Sequence, residues 1–212
     1  MNDALPTTGL PGLRVVGLGA DDETLLQAFF DANPGYFQAV KGESAAADEA
    51  RQEIASEIPA GWPFTERMLL GWVAEDGGLA AMADVVSDLL ATGVWHIGLF
   101  IVETARHGGG DAAALYGELE DWARRSGAAW MRLGVVEGND RAQRFWTARG
   151  FVVLRSRGGY VMGSRTNVIR TMFKPLRGGS RDEYLALVAR DRPERGVGTA
   201  DARAQTLSNV AR

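Results

Sequence analysis

The stretch WHIGLFIVETARHGGGDAAALYGELEDW, Trp95 to Trp122, changes pattern twice. Ile97, Leu99, Phe100, Ile101 and Val102 are bulky residues that suit a strand covered on both faces, as central strands of a mixed sheet are. After Gly108, Gly109 and Gly110, apolar residues recur at helical spacing: Ala112, Leu115, Tyr116, Leu119, Trp122 and Ala123. Glycines let the backbone curl without side chains, so several N–H groups can converge at the positive end of the helix. Such a point is an anion cradle that fits a pyrophosphate. Three glycines before a helix also make an ordinary flexible turn, so the choice falls to what lies downstream.

Downstream stands EGNDRAQRFWTARGF, residues 137–151. Asn139 can cap a short helix, Ala142, Phe145 and Trp146 form its apolar face, Gly150 can end it, and Phe151 starts a strand. Taken in order, the two stretches resemble the GNAT superfamily of N-acetyltransferases. That family carries a strand ending in a V-x-P-like splay, then Q/R-x-x-G-x-G/A at a helix start, then N-x-x-A-x-x-F-Y-x-x-x-G-F. His107, Gly110 and Ala112 fall on the glycine motif. Asn139, Ala142, Phe145, Trp146, Gly150 and Phe151 fall on the second, and the match spans residues 68–175.

The resemblance implies an α/β fold: a mixed, mostly antiparallel sheet of some seven strands flanked by four helices, splayed between the fourth and fifth strands. It implies acetyl-CoA as donor and no metal. The cofactor would contact Ile101, Val102, His107, Gly108, Gly109, Gly110, Asp111, Ala112, Asn139, Ala142, Phe145 and Trp146, with the pyrophosphate on the N–H groups from His107 to Ala112. The acceptor would be a primary amine of a small molecule or peptide, attacking directly in a ternary complex. Three departures bear on mechanism. His107 stands where Gln or Arg is usual, Glu103 and Thr104 replace the usual end of the splayed strand, and Trp146 replaces a tyrosine that often protonates the leaving thiolate. They keep a second class open, a catalytically weak acyl-CoA-binding sensor or partner module on the same fold. A Rossmann-type nucleotide site is disfavoured, because no acidic ribose partner follows about 20 residues after the glycine turn.

Acetyl transfer makes three chemical demands. An alkyl amine with a pKa near 10.4 must lose a proton before it attacks, which calls for a base. His96, Glu103 and Asp84 are the candidates, in that order. His96 reads equally as a strand histidine satisfied across the sheet, and Asp84 as a carboxylate on a solvated face. The tetrahedral oxyanion needs a donor, which the backbone N–H near Val102 supplies if the sheet splays there. The thiolate must leave, and the indole N–H of Trp146 does not titrate usefully; a leaving thiol with pKa near 8.5 tolerates that loss. Trp146 reads as part core aromatic and part contact for the pantetheine arm.

Composition sets the outer limits. The 212 residues are 46% hydrophobic, enough for one sizeable core, and 24% charged, an ordinary soluble surface. A net charge of −4 gives no field for nucleic acid or an anionic membrane. With no cysteine and only His96 and His107, neither disulfides nor a structural zinc is expected. The N-terminus lacks a basic segment followed by an apolar core, so a cytoplasmic protein, monomer or homodimer, is the expectation.

The remaining elements read in chain order. A strand over Arg14–Leu18 precedes a helix with Leu25, Leu26, Phe29 and Phe30 on one side, ending at Asn33 and Pro34. Residues 35–44 read as a loop whose Tyr36 and Phe37 either pack on the sheet or line a substrate pocket. Ser44 is expected to cap a second helix carrying Ala47, Ala50, Ile54 and Ile58. A hairpin follows, Met68–Val73 and Leu79–Val86 around Asp76, Gly77 and Gly78. Ala128–Val136 is another buried strand, and residues 151–157 and 168–176 are final strands joined by a loop over 158–167. One domain over 1–175 is expected, then an extension over 176–212 with a short helix at Tyr184, Leu185 and Val188 and a mobile end after Pro193.

Overall fold

The computed structural model describes residues 5–193. In chain order it contains β1 (Leu13–Gly17), α1 (Glu23–Ala32), α2 (Pro34–Val40), α3 (Glu49–Ile54), β2 (Glu66–Ala74), β3 (Leu79–Ser87) and β4 (Val94–Val102). There follow α4 (Asp111–Arg125), β5 (Trp130–Val136), α5 (Asp140–Ala148), β6 (Val152–Met162), β7 (Arg165–Pro175) and α6 (Arg181–Leu187). The strands form one sheet in the order β1-β2-β3-β4-β5-β7-β6. Neighbours are antiparallel except β4 and β5, which are parallel. This is the mixed, mostly antiparallel sheet expected from sequence; the described residues carry the four expected flanking helices, the short C-terminal helix expected around Tyr184, and one more, α2. No helix among the described residues is long and apolar enough to cross a membrane.

Alternation along the strands sorts the core into layers. On one face Phe100, Leu133 and Met172 meet Tyr116 and Leu119 of α4 and Trp146 of α5. On the other, Leu69, Met82, Leu99 and Ile101 meet Leu26, Phe29 and Phe30 of α1 and Phe37 of α2. Further along that second face, Val94, Trp130 and Phe173 pack against Tyr184 and Val188 of the C-terminal segment. Each large side chain enclosed this way contributes about 1.5–3 kcal/mol. The segment set apart as an extension is therefore welded to the sheet at least to Asp191, whose carboxylate is 1% exposed. The end expected to be mobile, 194–212, lies outside the described residues.

Three local expectations need correction. Residues 34–40, within the stretch read as a loop, form helix α2, with Pro34 at its first turn where a missing N–H costs nothing. The following helix starts after Asp48 rather than after Ser44 and ends at Ile54. The third concerns the joint read over 158–167, most of which is strand. The glycine pair Gly158 and Gly159 falls where β6 and β7 shift register between Arg157 and Tyr160, and pairing resumes to Met162 and Arg165. Glycine in a strand marks such an irregularity as often as an end.

This long hairpin fixes α2. The last carbonyls of a helix lack partners within it, and here the hairpin tip supplies them. Ser164 donates from its N–H and Oγ to the Lys41 carbonyl (3.1 and 3.0 Å), Asn167 Nδ2 to Val40 O (2.9 Å) and Arg165 Nη1 to Ala39 O (3.1 Å). A buried ion pair between Lys41 and Glu49 holds the next turn.

Candidate active site

The sheet opens beside Ile97. Strands β4 and β5 pair only from Val94–Trp130 to Ile97–Leu133, while β4 stays registered with β3 as far as Val102. The cause is an extra residue. Asp84 of β3 faces Leu99 and the next residue, Val85, faces Ile97, so Gly98 is bulged out of the ladder. Only glycine fits: a Cβ on Gly98 would lie 2.8 Å from Asp84 Oδ2. Glu103 donates its N–H to Ala80 O on β3 at 2.8 Å, so strand alternation turns the N–H groups of Val102 and Phe100 the other way, into the gap. The gap is a cleft of about 520 Å³, open solvent included, walled by Gly98, Gly134, Tyr36, Asn139, Ala142 and Trp146 among others.

At the far end of β4 the chain makes a 3-10 turn over Thr104–Arg106 and enters α4 through Gly110, whose φ is 95°. Gly108 is also left-handed, at 88°. The intrahelical bonds start with Ala113 and Ala114, both donating to Gly110 O, which leaves the N–H groups just before them leading the helix. The His107 N–H is not among them, because it donates to Thr104 O at 3.1 Å. Its ring instead closes the turn, with Nε2 2.7 Å from Val102 O. Asp111 sets a carboxylate beside the cradle, and Arg106 bridges it (3.2 Å) to Glu103 (3.3 Å). An anion there would use the Asp111 and Ala112 backbone rather than the Asp111 side chain.

On α5, Asn139 Oδ1 accepts from Ala142 N at 3.1 Å and caps the helix as expected. Trp146 lies edge-on to Tyr116 (5.2 Å) and is 7% exposed, so it is both core and cleft wall. Phe145 is held elsewhere, stacked on Phe100 at 6.1 Å with Arg149 over its ring at 4.7 Å. Ile101 and Val102 pack under α1 and α4 respectively, and the β4 wall of the cleft runs over Ile97–Phe100 instead. Tyr36 faces the cleft from α2, whereas Phe37, 2% exposed, packs edge-on against Phe30 in the core.

The three titrating candidates are differently placed. His96 is enclosed, its Nδ1 3.3 Å from Arg132 Nη1 and 3.1 Å from Arg132 O. Burial, with the Arg132 charge added, pushes it down to about 3, too weak a proton affinity to draw a proton from an ammonium. Glu103, half-exposed, is engaged with Arg106 at the cradle. Asp84 lies on the α1–α3 face against the bulge, with Arg67 Nε 3.0 Å from Oδ1. Burial, opposed by Arg67 and assisted by Glu53 on the other side of Arg67, pushes it up to about 7. Sequence alone missed Gly98, although a glycine inside a strand is the signal of a bulge, and Gly134, which stays in register with Thr171.

No curated protein sequence matches significantly. Among solved structures, a GCN5-related N-acetyltransferase from Kribbella flavida superposes with a TM-score of 0.54 at 22% identity, covering 77% of this chain and 98% of that one. An acetyltransferase from Thermus thermophilus gives 0.60 at 17% identity, covering 77% and 96%. Spermidine N-acetyltransferase from Vibrio cholerae, solved with CoA and spermine, gives 0.59 at 14%, covering 78% and 96%. These share the fold. The sequence pattern described as the acetyltransferase (GNAT) family matches residues 24–151, and the chain belongs to that family.

Proposed function

We propose that the protein transfers the acetyl group of acetyl-CoA to a primary amine by direct attack in a ternary complex. The observation that carries this is the bulge-driven gap between β4 and β5, lined by unpaired strand N–H groups and leading from the glycine turn of α4. A thioester carbonyl in that gap would meet the N–H of Val102 or Phe100, donors already oriented for an oxyanion. Acetyl-CoA supplies the activated acyl group when bound. The pyrophosphate would sit on the helix-leading N–H groups around Asp111 and Ala112, and Ala142, Asn139 and Trp146 would border the pantetheine arm.

Asp84 is the base this reading favours over His96 and Glu103, because it lies against Gly98, which walls the gap, and burial raises its pKa to about 7. No titrating acid stands at Trp146, so the thiolate leaves without side-chain help there. That same residue supports the alternative of an acyl-CoA-binding module. Incubation with acetyl-CoA and a panel of amines, read as free thiol, separates the two, and a chain without cysteine adds no background. Thiol release with an amine supports transfer; tight acetyl-CoA binding with no release from any amine leaves the binding module.

The cradle has its own test. Gly110 has open space around its α-carbon, so Gly110→Val acts through φ alone, straining the backbone by about 1–3 kcal/mol. The expected result is a folded protein whose CoA affinity by calorimetry falls about tenfold or more. Unchanged affinity would move the pyrophosphate site elsewhere.

A further inference from the structure

Asp84 is one of two buried carboxylates that meet a single cation. Arg67 of β2 places Nε 3.0 Å from Asp84 Oδ1 on β3, and Nη2 3.0 Å from Oε1 of Glu53 in the last turn of α3. The side chains are 13% exposed for Arg67, 5% for Asp84 and 2% for Glu53, so water screens these three charges little. The guanidinium is also fixed by backbone. Nη1 donates to Ser56 O and Nη2 to Glu53 O, both at 2.9 Å, where the chain leaves α3. An arginine pinned through its whole fork cannot swing from one carboxylate to the other.

Pinning the end of α3 needs only Arg67 and those carbonyls. The two carboxylates add a desolvation cost and, when both are ionised, leave the cluster with one net negative charge. A single proton makes it neutral, and like charges gathered on one cation favour holding that proton. Among the described residues, the other elements packed around Asp84 bring no further charge to it. On β4 it faces Leu99 and abuts Gly98, while Leu26, Phe29 and Phe30 of α1 cover the same face of the sheet. His96, two residues before Gly98, is held neutral by burial, and the charges acting on it are those of Arg132 and Asp191. Glu53 is therefore the group whose negative charge opposes Arg67 at Asp84.

We propose that Glu53, which does not line the cleft, is a positioning residue for the base: by sharing Arg67 with Asp84 it keeps a proton-accepting carboxylate beside Gly98. The inference rests on the reading of Asp84 as the base. In the step it serves, the acceptor's ammonium gives a proton to the Asp84 carboxylate, leaving a neutral amine to attack and a carboxylic acid beside Arg67. That acid returns its proton to water before the next turnover. A carboxylate at its ordinary value near 3.9 accepts poorly from an ammonium near 10.4. The second negative charge narrows that difference, and its loss would leave Asp84 to the pull of Arg67 alone.

The test uses the full-length protein with its aspartates labelled with carbon-13 at the side-chain carboxyl; the Asp84 signal is the one absent from D84N. Without substrates, this signal in the wild type should titrate with a midpoint at about pH 7. In E53Q the amide oxygen can still accept from Arg67 Nη2, but the negative charge is gone and the Asp84 carboxylate forms more easily. Its midpoint should fall by about one pH unit or more. The rising limb of kcat/KM, read as thiol release from acetyl-CoA with an amine, should move down with it. The plateau above that limb should fall, since a weaker base accepts a proton less readily. CoA affinity should not change, and E53D, which keeps the charge, should titrate close to the wild type. A role confined to packing α3 would lower the plateau or the stability and move neither midpoint. An Asp84 midpoint that is the same in E53Q and wild type overturns the proposal, whatever the rates do. A midpoint that falls with no matching move of the rate limb keeps the hold of Glu53 on Asp84 and sinks Asp84 as the base, so the two failures are told apart. If E53Q does not fold, wild type labelled at both aspartate and glutamate decides, because coupled carboxyls show each other's step in their curves. A single Asp84 step near the ordinary carboxylate value would then overturn the proposal.

Discussion

Asp191→Ala should lower the unfolding free energy by about 3–5 kcal/mol, because it strands a buried guanidinium. The Arg132 side chain is 7% exposed and the Asp191 side chain 1%, so water cannot replace the lost carboxylate without opening the sheet. Tyr184 Oη loses its acceptor too, at 2.7 Å from Asp191 Oδ2. For a chain of this length, the loss corresponds to a melting temperature lower by roughly 6–20 °C. Asp191→Asn should cost less, since its amide oxygen can still accept one bond. The pH dependence has a definite sign. Burial acts to raise the Asp191 pKa, but the Arg132 charge and the hydrogen bonds from Arg132 and Tyr184 outweigh it and hold the carboxyl below its usual range. A depressed carboxylate stabilises the fold above its unfolded pKa, near 3.9, and this contribution fades as pH falls through the lower folded value. Urea unfolding at pH 7 and near pH 3 checks both: the gap between wild type and Asp191→Ala should shrink in acid.

Asp84→Asn should reduce kcat by about a hundredfold or more, the usual contribution of a positioned general base. Acetyl-CoA affinity should be unchanged, because Asp84 faces the α1–α3 side, away from the cradle. The fold should survive: asparagine can accept from Arg67 Nε, and Arg67 also bonds Glu53 Oε1 at 3.0 Å and Ser56 O at 2.9 Å. A base must be deprotonated to act, so wild-type kcat/KM should rise with pH through about 7, and the variant should lose that limb. A pH–rate profile with the same limb in both proteins would pass the role to Glu103 or to ordered water.

What the sequence made legible was whatever depends on neighbours in the chain. The strand into Val102, the glycine entry to α4 and the Asn139 cap are short-range patterns, and the fold carries them. The gap itself was visible only through resemblance, since its cause is a registry between Gly98 and an aspartate on another strand. His96 ranked first as a base because its residue type suits the task, yet proton affinity belongs to surroundings, and Arg132 lies 36 residues away in sequence. Tyr36 and Phe37 stood together in a supposed loop, and only the helical phase of α2 sends one to the cleft and the other to the core.

The Arg132–Asp191 bond joins a mid-sheet strand to residues made 59 positions later. On a ribosome adding about 5–20 residues per second, Arg132 waits roughly 3–12 s for its counter-ion. Until then β5 carries a charge that cannot be enclosed without penalty, and β7, which flanks β5 in the sheet, is itself still emerging. The nascent sheet can therefore gather β1 to β4 against α1 early, but closure around β5 waits for Asp191. A chain shortened before Asp191 would reach the cell with its central sheet held at that unfinished stage, exposed to proteases and chaperones.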